Sequence, residues 1–125
     1  MIMMVLGALA VCTGCGPGVR TRVESAMQGC LAVRNAAFVR GDGERALLIP
    51  LPAAVEALAR GTAYTFGLTV YQQTADEATT QSELTCALEL GSRYKSDDTR
   101  EWVRTFTGHP NAPVANLAKR LMALQ

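Results

Sequence analysis

Four cysteines and one histidine are the side chains in this sequence whose types suggest soft-metal or thiol chemistry. Cys12-Thr13-Gly14-Cys15 sets two thiols across a two-residue spacer, as many zinc and redox sites do. Zinc needs about four ligands, and the other candidates, Cys30, Cys86 and His109, are isolated with no second paired spacing. A redox dithiol is expected after a strand and at a helix N-terminus, and no strand precedes Cys12. Gly16, not histidine, directly follows Cys15, which excludes covalent haem attachment. The expectation is no metal and no cofactor.

Other catalytic patterns are equally thin. His109 sits in a Gly-His-Pro-Asn turn, where an imidazole is more often structural or solvated than reactive. No serine stands in a nucleophile-elbow sequence, and no glycine loop has phosphate-binding spacing. Asp97-Asp98 are accounted for by helix capping, and Glu83 and Glu89 are read as projecting from the outer face of a strand. Tyr71, Tyr94 and Trp102 lack interleaved basic residues, so they read as core or edge aromatics rather than a base-stacking platform. Twelve basic against eleven acidic residues leave no global field to recruit nucleic acid or an acidic membrane. The chain is therefore expected not to be an enzyme, with no small-molecule substrate.

The asymmetry of charge along the chain is more informative. Residues 1–19 carry none, and Met1 to Val11 form an apolar run of signal-peptide length, too short for the roughly 20 residues that cross a bilayer. A buried N-terminal element of a cytosolic protein is the alternative, but such an element usually shows a polar outer face, and this run has none. The first basic residue, Arg20, lies after the apolar run, so the positive n-region of an export signal is missing; a start codon assigned too far downstream would account for that. Ala8-Leu9-Ala10 fits an ordinary cleavage site. Gly14-Cys15 instead resembles the bacterial lipobox, although Cys12 stands where that motif normally has Leu. The resemblance implies a signal peptide over 1–14, diacylglycerol on Cys15, a tether over 15–19, and, through Gly16, transfer to the outer membrane facing the periplasm.

On that reading Cys12 leaves with the signal and Cys15 carries lipid, so Cys30 and Cys86 remain as one pair in an oxidising compartment. A bridge over that span is expected to stabilise the fold by about 4 kcal/mol. Cleavage after Ala10 would retain all four cysteines and leave three pairings open.

The remainder, residues 20–125, is the size of one domain. Val19 to Cys30 reads as a helix, with Val23, Ala26, Met27 and Cys30 on one stripe. Residues 36–40 and 44–51 flank Gly41-Asp42-Gly43 as a hairpin. Pro52 opens a helix over Ala53–Arg60 that Gly61 stops. Tyr64 to Tyr71 and Glu83 to Leu90 alternate apolar and polar residues as two further strands, joined by the loop Gln72 to Ser82 with its threonine-rich stretch. Cys86 falls on the inward row, so the bridge would pin the first helix to a sheet. Asp98 and Glu101 suggest a capping box, Gly108-His109-Pro110 a helix stop, and a last helix starts at Pro113. The expected class is α+β: a four-stranded antiparallel sheet of two hairpins with helices packed on it, in the order α-ββ-α-ββ-α-α.

Two segments carry resemblances. Val55 through Gly61 and Tyr64 to Leu84-Thr85-Cys86 is similar to the ββαββ lipoprotein pilotins of type II secretion, which bind the C-terminal segment of a secretin. The pilotin partner cysteine lies in the central helix rather than at Cys30, and the two C-terminal helices are additional. Glu101-Trp102-Val103-Arg104-Thr105-Phe106 through His109-Pro110 to Leu121 resembles the closing helices of periplasmic immunity proteins that neutralise type VI amidase effectors, an all-helical family with further cysteines. Both imply a non-catalytic envelope module whose partner is another envelope or secreted protein: an extended peptide for a carrier, a folded enzyme for an immunity protein.

Overall fold

The hydrophobic segments that alternate as strands in the sequence are helices. The computed structural model describes residues 18–60 and 64–125, with six α-helices and one 3-10 helix and, among the described residues, no strand. The helices are α1 (Val19–Val39), the 3-10 helix (Gly43–Leu48), α2 (Ala53–Arg60), α3 (Tyr64–Glu77), α4 (Gln81–Gly91), α5 (Asp97–Arg104) and α6 (Ala112–Ala123). The expected α+β fold is thus corrected to an all-α one. Residues 1–17, which hold the expected signal peptide, Cys12 and the lipidation site Cys15, lie outside the described residues, as does Gly61.

Each correction has a local cause. The supposed first hairpin is the last turn of α1 followed by the 3-10 helix. Gly41 and Gly43 do adopt positive φ, +85° and +58°, but they pass the chain from one helix to the next rather than turn a strand. The Gly41 amide donates to the Phe38 carbonyl and the Asp42 amide to that of Ala37, a Schellman stop that satisfies carbonyls orphaned at the α1 terminus. Residues 72–82, read as a long loop, are mostly the end of α3 and the start of α4. Only Ala78–Thr80 separate the two, which makes them an αα-hairpin.

At the start of α4 the Thr80 hydroxyl accepts from the Glu83 amide (3.1 Å) while the Glu83 carboxylate accepts from the Thr80 amide (3.2 Å). This is the capping box of the molecule. The pair expected to form one, Asp98 and Glu101, instead lies exposed within α5, whose N-cap is Ser96, accepting from the Thr99 amide at 3.2 Å. Hydrogen bonds from the Thr79 backbone, and then its hydroxyl, hold the Glu83 carboxyl below its ordinary range. With the folded pKa below the unfolded one, this stabilisation is present above the ordinary carboxylate range and is lost as pH falls through the lowered value. Glu83→Gln is expected to flatten the acid limb of a urea-midpoint profile between pH 7 and 3, and Thr80→Ala to cost about 1 kcal/mol at neutral pH.

Helix α4 sits at the centre. Every residue from Thr85 to Gly91 is buried. On one side Cys86, Ala87 and Leu90 join a core with Val23, Ala26 and Met27 of α1, Val55 of α2, and Leu68 and Tyr71 of α3. On the other, Leu88 meets Leu47 of the 3-10 helix, Val103 of α5, and Leu117, Ala118 and Leu121 of α6. Fully burying such aliphatic side chains stabilises by about 1.5–3 kcal/mol each. Two glycines permit the closest approaches. A Cβ on Gly29 would lie 2.5 Å from Val55 Cγ2, and one on Gly91 2.5 Å from Trp102 Cζ3. Alanine is the better helix former by about 1 kcal/mol, yet overpacking costs about 1–3 kcal/mol. Gly29→Ala and Gly91→Ala are therefore expected to lower the urea midpoint, with Gly91→Ala also shifting Trp102 fluorescence. Among the described residues, no helix is long and apolar enough to cross a membrane.

Candidate functional site

Cys30 and Cys86 are disulfide-bonded, with Cα atoms 5.9 Å apart and both residues wholly buried. The bond ties α1 to α4, not a helix to a sheet, and it lies deep in the larger core. It is a structural crosslink closed off from solvent, since exchange requires a thiolate to reach a sulfur.

One turn along each of these helices lies a second link that sequence reading did not find. Arg34 of α1 has no exposed surface, and its guanidinium pairs with Glu89 of α4. Its Nη1 also donates to the carbonyls of Ala46 (2.8 Å) and Ile49 (2.7 Å), tying the 3-10 helix against α1. Glu89, expected on an outer strand face, is instead 8% exposed. Its carboxylate is shared with Arg93, whose Nε and Nη2 fork onto Glu56 of α2 at 2.9 and 2.8 Å. Hydrogen bonding to Glu56 raises the Arg93 pKa, outweighing the opposing effect of burial. This chain of two arginines and two glutamates holds four elements in place. Its carboxylates are committed to arginine, which leaves them poorly suited to acid–base chemistry.

The remaining candidates are structural in the same sense. His109 Nδ1 accepts from the Asn111 amide at 3.0 Å, and its ring stacks on Phe106 with centroids 6.1 Å apart. The imidazole therefore shapes the turn that delivers Asn111 to cap α6 through Val114. Tyr71 is fully buried beside Tyr94, and burial above all pushes its phenol pKa up, so it stays protonated. Trp102 meets Phe106 edge to face, with centroids 5.9 Å apart. Among the described residues no cluster of three or more His, Cys, Asp or Glu side chains could hold a metal ion.

Two of the open grooves among the described residues are ligand-sized. One, of about 500 Å³, runs between α3 and α5 past Leu68, Gln72, Asp98, Glu101 and Trp102. Its Glu101 is partnered by Arg104 on the same helix at 2.8 Å. The other, of about 510 Å³, runs between α1 and the α3–α4 turn. Met27 and Leu31 form its apolar floor, Glu24, Glu77 and Glu83 its rim. Both volumes fall within the roughly 300–1,000 Å³ of ligand-sized clefts. The sequence carried one signal for the second groove: Met27 lies on the apolar stripe of α1, with Glu24 one turn before it. Its opposite wall was hidden by the strand reading of residues 64–90. Comparison with known proteins finds no matching family model, no matching curated protein and no matching solved structure.

Proposed function

We propose that this chain is an exported, non-catalytic protein-binding module of the cell envelope, held at the outer membrane by a lipid on Cys15 and binding another envelope or secreted protein. The observation that carries the export half is the buried Cys30–Cys86 bond between the two central helices. Structural disulfides persist in oxidising compartments and are rare in the cytosol. The uncharged leader and the lipobox-like Gly14-Cys15 point the same way. The binding half is supported by a rigid, crosslinked helical frame that carries open grooves while its buried ionic groups are spent on one another.

The pilotin-like version of this reading is set aside, because the strands on which that resemblance rests are α3 and α4. The alternative, a periplasmic immunity protein that inhibits a secreted effector enzyme, is favoured by one observation. The segment resembling that all-helical family is α5, a His-Pro turn and α6, set in a fold with no strand among its described residues.

Intact mass of the protein purified from membranes tests the proposal. The expected result is a chain beginning at Cys15, carrying acyl groups and lacking two hydrogens for one disulfide. A full-length, unmodified mass with free thiols overturns it. Crosslinking in intact cells then separates the readings: an immunity protein should be captured with a folded enzyme at fixed stoichiometry, a carrier with a segment of a channel.

A further inference from the structure

The groove between α1 and the α3–α4 turn has a chemical bias that names its occupant. Its rim carries three carboxylates, Glu24, Glu77 and Glu83, and none of its lining residues is basic. Arg20, one turn before Glu24 on α1, is directed to Gln73 at 3.0 Å. Beneath the rim lie Met27, buried, and the half-buried Leu31. The two walls are joined by covalent structure, since Cys30 adjoins Leu31 on α1 and Cys86 lies one turn beyond Glu83 on α4. Hydrogen bonds from Thr79 and Thr80 keep Glu83 ionised and fixed in direction. A crosslinked groove of set width loses little freedom when filled, which favours binding.

We propose that this groove docks a cationic amphipathic helix of a partner protein, with an apolar side chain seated on Met27 and Leu31 and Lys or Arg side chains along the rim. The inference rests on the binding-module reading above and gives that module its partner chemistry. Apolar anchors set into a groove are the usual way in which a helix is held, and complementary charge at the rim selects partner and register. The groove between α3 and α5 carries fewer carboxylates, Asp98 and Glu101, and Glu101 already has Arg104 as a counterion.

The test uses the full oxidised chain in neutral detergent and a fluorescent helical peptide of about 16 residues, with leucine on one face and lysine on its flanks, followed by anisotropy. Binding is expected to weaken by about tenfold or more between roughly 0.05 and 0.5 M salt, as for interactions carried by exposed charges. E24K combined with E77K is expected to weaken it by about tenfold with an unchanged urea midpoint, and D98K combined with E101K to leave it within about twofold. Glu83 is left intact because it caps α4. Equal binding of a glutamate-flanked peptide, indifference to E24K/E77K, or binding of spermidine as tight as that of the peptide would each overturn the proposal. So would a dimer of this chain, seen by sedimentation, that the same charge reversals dissociate. Absence of peptide binding by a chain whose mass shows cleavage, acylation and the disulfide refutes the groove assignment alone. An unmodified cytoplasmic mass refutes the export reading whatever the peptide does.

Discussion

Arg34→Met is expected to lower folding stability by about 3–5 kcal/mol, the usual cost of removing one partner from a buried ion pair. The loss is large because three acceptors lose a donor together. Glu89 keeps a buried carboxylate whose other partner, Arg93, is at the long distance of 3.5 Å, the Ile49 carbonyl loses its donor, and the Ala46 carbonyl keeps only the Ile49 amide at 3.5 Å. Against a total of about 5–15 kcal/mol for a domain of this size, such a loss moves the urea midpoint by a large fraction of its value. Glu89→Gln should cost less, since an amide oxygen still accepts from Arg34. Arg34→Met combined with Glu89→Leu should recover part of the loss by removing the stranded charge, but not all of it, because the Ile49 carbonyl still lacks its donor. Urea unfolding followed by far-ultraviolet circular dichroism measures all three. A single-variant change of under about 0.5 kcal/mol would mean that the pair contributes no more than a surface one.

Replacing both Cys30 and Cys86 by alanine is expected to cost about 4 kcal/mol. A loop closed between residues 56 positions apart removes that much freedom from the unfolded chain in the entropic account. Alanine is preferable to serine, because both sites are fully buried and a hydroxyl would need a partner there. A strong reductant should lower the urea midpoint of the wild-type chain to near that of the double variant and leave the variant unchanged. A variant that matches the oxidised wild type would show that packing between α1 and α4, not the bond, holds the helices together.

The parts of this fold legible in the sequence are those where local chemistry is decisive. Pro52 opens α2, Pro113 marks the start of α6, and the stripe through Val23, Ala26, Met27 and Cys30 marks α1. The glycines at 41 and 43 declare a reversal of the chain, but not which element they reverse. What failed was periodicity in the middle. Tyr64 to Tyr71 is rich in β-branched and aromatic residues, which fit a strand by intrinsic preference. Yet Leu68, Tyr71 and Ala75 are buried at helical spacing, and packing decided the outcome. Residues 83–90 misled for another reason: a helix surrounded on every side shows no polar stripe, so Thr85 and Glu89 imitated the solvent face of a strand. Glu89 is tolerated there because of Arg34, 55 residues earlier, a pairing that no local window contains. The candidate groove was half visible for the same reason, its α1 wall being local and its opposite wall depending on the α3–α4 hairpin.

The burial of α4 from Thr85 to Gly91 has an evolutionary corollary. Nearly every substitution between Thr85 and Gly91 disturbs packing in one core or the other, so the interior of this lineage is expected to drift slowly. Glu24, Gln28 and Glu77 face water and support nothing beneath them that depends on their charge, so they are free to be rewritten. Descendants of this chain can thereby acquire new allegiances by changing a few surface letters on an inherited chassis.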